Sequence, residues 1–433
     1  MKILATSDIH IGRRPTGLPA DLAREYSAAN TWQDIVERAK SEKVEAVIIA
    51  GDVVDESNKY YEALSALQSG LEALAETGIK TYAVVGNHDA GVLENLAADS
   101  NIALHILGKG GKWEKETLED KAGNTVQLVG WSFPQAQVNN SPIADLANTE
   151  ILSDKAALGI IHCDIDNQQS QYCPVTLAEL TDTPLDIWLT GHIHKPELKN
   201  TRKSPWVINL GTPQGLDPGP GESGSHGPWI LEYSKGRWNK RFIPSARLVY
   251  KETELDLTGV SSEEALQQRL TEGVREAIGE LRQQDDTNLE TLVLRLIFIG
   301  NTGISEGIIN RECHNLSETP FTLDGVQIIV NAWRNSTMPS PDLKELAKED
   351  SILGSIANLI LELQGEREQT ASTQTLIKET ESEIDNIARH RTFSLLKTDE
   401  GSEVDEAAPS PAAAETVSLD CARRLLSHLS SKF

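Results

Sequence analysis

Five short motifs carry most of the chemistry in this chain: Asp8-Ile9-His10, Gly51-Asp52, Gly86-Asn87-His88-Asp89, His162 and Gly191-His192-Ile193-His194. They offer two carboxylates, four imidazoles and one amide oxygen, with one histidine left over. That donor set suits two divalent cations sharing a bridging carboxylate. A pair of cations lowers the pKa of a water held between them and clamps the oxygens of a phosphate ester. Imidazole-rich ligation favours Mn²⁺, Fe²⁺ or Zn²⁺ over Mg²⁺ or Ca²⁺. The expected chemistry is therefore hydrolysis of a phosphate ester by a hydroxide formed at the cations.

Each residue type has an expected role. The expected metal ligands are Asp8, His10, Asp52, Asn87, His162, His192 and His194. Asp8 and His10 are spaced i, i+2, which on an extended segment places both on one face, and His192 and His194 repeat that spacing. Asp52 has two oxygens and can bridge. His88 is not needed as a ligand, so it is the candidate general acid or transition-state stabiliser. Asp89 is the second catalytic candidate, able to orient His88 or a ligand histidine. Arg13 and Arg14 follow the first ligand pair, and Lys195, Lys199, Arg202 and Lys203 follow the last. Of these, Arg13, Arg14, Lys195 and Arg202 are the candidate substrate contacts, with solvated loops as the competing reading. His105 reads as a packed or edge histidine and His226 as solvent-exposed in a Gly-rich loop. His314, His390 and His428 read as surface residues.

Short apolar runs alternating with helical spacing must position these motifs. Ile3–Ala5, Val44–Ala50, Lys80–Val85, Val126–Trp131, Ala157–His162, Asp186–Thr190 and Trp206–Leu210 read as strands. Residues 30–41 and 60–76 read as amphipathic helices between the first three. Strand–helix alternation argues for an α/β layered domain, and each motif falls where a strand gives way to a loop, the place where such sheets collect ligands. Strands at 229–233 and 238–243 follow a Gly/Pro-rich loop over 211–228. Beyond about Arg247 the pattern becomes strand, long helix, then strands at 292–299 and 325–330, a small α+β domain. Residues 339–368 have amphipathic helical spacing, 398–416 are acidic and then Ala/Pro/Ser-rich like a linker, and 419–429 return to helical spacing.

The chain has 433 residues, enough for two or three domains, with 24% charged and 39% hydrophobic residues, and no apolar run approaches a membrane span. The four cysteines lack Cys-x-x-Cys spacing, which argues against a zinc finger or a disulfide framework. With a candidate ligand at position 8 there is no room for a cleaved leader, and the expected location is cytoplasmic. The net charge is −25; residues 1–250 contribute −9 and residues 251–433 contribute −16. Phosphate backbones are gripped by basic surface, so bulk electrostatics work against DNA binding by this chain alone.

The five motifs resemble those of the calcineurin-like metallophosphoesterase superfamily. Within it the chain is similar to the SbcD-type DNA repair exonuclease branch. Gly51-Asp52-Val53-Val54-Asp55 resembles that group's Gly-Asp-x-x-Asp, Gly86-Asn87-His88-Asp89 differs from the Gly-Asn-His-Glu of Ser/Thr protein phosphatases, and Asp55-Glu56-Ser57 stands where those phosphatases carry Asp-Arg-Gly. Gly211-Thr212-Pro213-Gln214-Gly215 resembles the nuclease loop after the last histidine pair, but Leu216 stands where Arg is usual. The resemblance implies a four-layer αββα sandwich over 1–246, an α+β cap over 247–335, a helical region over 336–397, a linker over 398–417 and a C-terminal helix over 418–433. It implies that Asp8, His10, Asp52 and His194 hold one metal and Asp52, Asn87, His162 and His192 the other, with His88 catalytic and Mn²⁺ the metal. DNA and an SMC-like coiled-coil P-loop ATPase are the implied partners, docked through 339–368 unless that face packs on its own domain; a homodimer is compatible and a membrane is not expected. A DNA nuclease is the first expectation. A small-molecule or cyclic-nucleotide phosphodiesterase or phosphatase is the second, and a non-catalytic scaffold the third.

Overall fold

A computed structural model describes residues 1–55, 60–99, 102–200, 205–283, 288–340, 342–388 and 411–430. Arg202, Lys203, His390 and residues 398–410 of the expected linker lie outside the described residues. The chain divides into two compact units: residues 1–253 with 274–295 and 316–332, and residues 254–273 with 296–315 and 333–433.

The first unit is built on two six-stranded sheets. The first runs Arg237–Phe242, Trp229–Ser234, Lys2–Thr6, Ala46–Ala50, Lys80–Val84, His105–Ile106; the second runs Glu197–Asn200, Trp206–Asn209, Ile187–Gly191, Ala156–His162, Thr125–Trp131, Glu114–Glu119. The central strands of each are parallel and the outer hairpins antiparallel. Strand alternation divides the core. Ile3, Ala5, Ile48, Val84, Leu128, Ile160 and Leu189 form one cluster between the two sheets. Their neighbours of opposite parity, Leu4, Val47, Ile49, Val129, Ile161 and Trp188, pack outward against Trp32, Ile35, Leu67 and Leu71 on one sheet and Leu146 and Leu180 on the other. This is an α/β sandwich of four layers, because both faces of each parallel sheet must be covered. Its helices Ala28–Glu42 and Tyr60–Glu76 match the expected helical spacing closely.

Beyond the sandwich, Leu248–Asp256, Thr291–Ile299, Val326–Asn335 and Phe321–Leu323 form a four-stranded sheet, accompanied by helices Glu263–Arg282 and Glu306–Glu318. In the second unit the region expected as one helix over 339–368 is two, Leu343–Leu346 and Ile352–Leu363. The break falls where Lys348-Glu349-Asp350 supplies no apolar side chain and Ser351 caps the second helix by accepting the Gly354 N–H at 3.0 Å. Ile356 and Ile360 pack on Ala422 and Leu426 of the helix Pro411–Ser430, so the candidate partner dock is largely covered by its own unit. That last helix begins inside the expected linker, because Pro411 fits a first helical turn and Ala412-Ala413-Ala414 are strong helix formers. Helix Ala371–Ala388, not foreseen, packs Ile377 against Leu363 and Ala414. Among the described residues no helix is long and apolar enough to cross a membrane.

Candidate metal centre

The ligand candidates stand just past the carboxyl ends of five parallel strands drawn from both sheets. The turn at each strand end is tight. Asp8, His10, Asp52 and His192 have φ of 51°, 52°, 49° and 93°, a left-handed backbone that costs non-glycine residues energy and collects at functional sites. The extended-segment argument for Asp8 and His10 therefore fails: the strand ends at Thr6 and both residues lie on a bent loop. That loop is zipped to the next one by Asp8 N–H donating to the Gly51 carbonyl and His10 N–H to the Asp52 carbonyl, both at 3.0 Å. The glycines preceding the ligands make room. A Cβ on Gly51 would lie 2.5 Å from His162 Nδ1, and one on Gly86 would lie 2.2 Å from Asp52 Oδ1.

The structure gathers the donors into overlapping groups. Asp8, His10 and His194 offer atoms within 4.8 Å of one another, as do Asp8, Asp52 and His162. His10 Nε2 lies 3.1 Å from His194 Nε2. Asn87 Oδ1 lies 3.0 Å from His162 Nε2 and 3.2 Å from His192 Nδ1, and His162 Nε2 lies 3.3 Å from Asp52 Oδ2. Ligands each about 2.1 Å from a shared cation would be roughly 3.0–3.4 Å apart. The i, i+2 pair at 192 and 194 does not share a face: His192 turns to Asn87 while His194 turns to His10 and Asp8.

Hydrogen bonds fix which nitrogen each ring presents. His162 Nδ1 donates to the Ala50 carbonyl at 3.0 Å, leaving the Nε2 lone pair facing Asn87 and Asp52. His194 Nδ1 donates to Glu222 Oε1 at 2.7 Å, leaving its Nε2 lone pair facing His10. His10 Nδ1 is buried without a hydrogen-bond partner among the described residues. Two imidazole nitrogens held 3.1 Å apart beside buried carboxylates call for a cation, since Asp8 is fully buried and Asp52 is 2% exposed. The donor set fits two divalent ions.

The charges within the cluster agree. Burial works against a charged His162, yet Asp52, Asp8 and the Ala50 carbonyl push it up to about 9. Burial also opposes the Asp52 charge, but His162, His10 and His88 hold it well below the usual carboxylate range. Burial raises Asp8 in spite of His162 and His194. Burial and neighbouring histidines depress His10 to about 3 and His192 to about 4, so both stay neutral and able to ligate.

His88 is half-buried at the edge of this cluster, its ring centroid 5.0 Å from that of His10. Its backbone N–H donates to Asp52 Oδ1 at 2.9 Å. Asp89 does not orient a histidine. Its carboxylate accepts N–H bonds from Val53, Val54 and Gly86 at 3.1, 2.8 and 3.2 Å, tying the Asp52 loop to the Asn87 turn. Burial and the Asp52 charge push it up to about 7.

Arg13 lies close to the cluster, its Nε 3.5 Å from Asp55 Oδ2, which is itself 3.8 Å from His10 Nδ1. Arg14 and Lys195 are exposed. His226 is 1% exposed rather than solvated, because its two ring nitrogens sit 3.0 Å from the Thr212 and Glu222 carbonyls. His105 lies on the edge strand, stacked on Tyr82, and His314 is exposed. Two residues of the site escape sequence reasoning. Glu222 holds His194, and Asp164 lies 3.8 Å from His192 Nε2. The only sequence signal for Glu222 is a lone glutamate in a Gly/Pro-rich loop, and Asp164, two residues past His162, carries none.

Residues 1–196 match the calcineurin-like phosphoesterase family, and the chain carries a calcineurin-like metallophosphoesterase domain. It is 25% identical over 266 residues to the uncharacterized metallophosphoesterase YhaO of Bacillus subtilis, a match that covers 60% of this chain and 62% of that one. It is 26% identical over 200 residues to one of the two kinds of chain in the nuclease SbcCD of Escherichia coli, the SbcD chain, covering 45% and 46%. Over 88 residues it is 32% identical to the DNA double-strand break repair protein Mre11 of Aeropyrum pernix, covering 20% and 21%. The chain thus spans less than two thirds of the length of each of these relatives.

Proposed function

We propose that this protein is a two-metal nuclease that hydrolyses DNA phosphodiesters, working with an SMC-like coiled-coil ATPase. The observation that carries the reading is the convergence of Asp8, His10, Asp52, Asn87, His162, His192 and His194 into one buried cluster on a metallophosphoesterase domain. DNA is favoured over a small ester by the relatives named as part of a nuclease and as a double-strand break repair protein. The first of these is named as one chain of a larger assembly, which also supports a partner.

Asp8, His10, Asp52 and His194 would hold one cation and Asp52, Asn87, His162 and His192 the other, with Mn²⁺ the first metal to try and Fe²⁺ or Zn²⁺ compatible with the donors. Bound there, the cations supply positive charge for the transition state and a water of lowered pKa. The remaining work belongs to the chain. Glu222 and the Ala50 carbonyl fix the tautomers of His194 and His162. Asp89 keeps the Asp52 loop and the Asn87 turn in register. His88 is anchored through its amide to Asp52, and its ring carries the proton that the leaving oxygen needs. Arg13 is placed to contact a phosphate oxygen beside it.

Incubating the protein and its Asp52→Ala and His88→Ala variants with Mn²⁺ tests the reading on linear DNA, plasmid DNA and a chromogenic phosphodiester. Degradation of DNA lost in both variants is the expected result. Cleavage of only the small ester would replace it with a small-molecule phosphodiesterase, and no activity with any metal would leave a scaffold.

A further inference from the structure

A cavity of about 200 Å³ opens in the first unit, lined among others by Lys195, Tyr250, Lys251, Glu252, Arg295 and Asn331. It adjoins the metal centre along the chain in two places. Lys195 directly follows His194, and the loop that forms another wall, Pro218 to Ser223, carries Glu222, which holds His194 at 2.7 Å.

The lining is cationic in a chain of net charge −25. Three cations face one carboxylate. Lys251 is matched by Glu280 at 2.7 Å. Arg295 reaches Glu252 only at 3.9 Å and is 39% exposed. Lys195 is exposed, with no ion pair among the described residues. The walls are firm. Tyr250 is 1% exposed, its hydroxyl donates to the Thr16 carbonyl at 2.6 Å, and it packs with Tyr26, Leu248, Val293 and Ile329. Lys251 and Arg295 stand on neighbouring strands of one sheet. Cations on such a frame are pre-organised. The volume is below the roughly 300 Å³ at which pockets for whole small molecules begin, so it suits a phosphate with its sugar and not a base.

We infer that this cavity is a phosphate subsite that takes the backbone phosphate next to the one being cleaved, with Lys195 and Arg295 as its contacts. The inference rests on the nuclease reading. It also explains how so acidic a chain engages DNA: a short run of cations beside the metals takes the place of a basic face.

The test uses the full chain with Mn²⁺ and the variants Lys195→Gln, Arg295→Gln and Glu252→Gln. The readout is kcat/KM on a single-stranded oligonucleotide divided by kcat/KM on a chromogenic phosphodiester, which is too short to reach the subsite. Lys195→Gln and Arg295→Gln should each lower this ratio about 3- to 10-fold through KM, and each should flatten the dependence of log affinity on log salt by about 0.7. Glu252→Gln should raise the ratio, a gain that a misfolded variant would not give. Ratios and salt slopes equal to those of the unaltered protein would overturn the subsite and leave the nuclease reading standing. Failure of the unaltered protein to bind or cut any oligonucleotide would overturn both.

Discussion

At the scale of single residues, the site depends on partners that ligate nothing. Glu222 is 6% exposed, and its two oxygens are divided between His194 Nδ1 and the Leu216 N–H. Removing such a partner frees a ligand ring to rotate and lowers its basicity. Glu222→Ala should weaken Mn²⁺ binding about 10- to 100-fold, and Glu222→Gln, which keeps an acceptor without the charge, should weaken it less; calorimetric titration of the metal-stripped protein reads both. Equal affinity in all three proteins would remove Glu222 from the site. Gly86 is equally constrained. A Cβ there would lie 2.6 Å from the Asp52 backbone nitrogen as well as 2.2 Å from its Oδ1. Gly86→Ala should therefore displace the bridging carboxylate, lowering phosphodiesterase activity by more than tenfold while costing only about 1–3 kcal/mol of stability.

At the scale of elements, the strand ends of the first unit and the helices of the second are held by different means. The sandwich positions its loops by backbone zippers, such as Asp8 to Gly51 and His10 to Asp52, and by the three amides gathered on Asp89. In the helical unit Glu362 is the corresponding clamp. It is 7% exposed and accepts from the Thr370 N–H, the Thr370 hydroxyl and the Thr373 hydroxyl at 2.8, 2.9 and 2.5 Å. Burial opposes its charge, yet these donors, helped by Arg367, hold its pKa below the ordinary value of 4.5. A carboxyl depressed on folding stabilises above its unfolded pKa, and that contribution is lost as pH falls through the folded value. Glu362→Ala should cost about 1–3 kcal/mol at pH 7. The gap from the unaltered protein should shrink below the unfolded value, which urea unfolding at several pH values would reveal. A gap that grows in acid would contradict the clamp.

At the scale of the whole molecule, buried carboxylates and facing imidazoles leave the cluster short of positive charge, so metal and stability should be linked. Chelation should lower the melting temperature, and Mn²⁺ at about 100 times its Kd should restore about 2.7 kcal/mol, or roughly 5–10 °C. Differential scanning calorimetry would detect the shift, and a melting temperature indifferent to chelator would count against a structural load on the metals. Much of this molecule is legible in its sequence. Alternating apolar runs mark the sandwich strands to within a residue or two, because burial on two faces imposes a local pattern, and the motif spacing marks all seven candidate ligands because donor chemistry belongs to residue types. Which ligand faces which was decided only by the tertiary structure. The left-handed turns at Asp8, His10, Asp52 and His192 send side chains where a strand period would not, so His192 and His194 part company. Glu222, Asp164 and the inward turn of His226 depend on contacts between segments distant in the chain. The cation cluster beside Lys195 is likewise invisible in the net charge, because Lys195, Lys251 and Arg295 meet only when the chain folds.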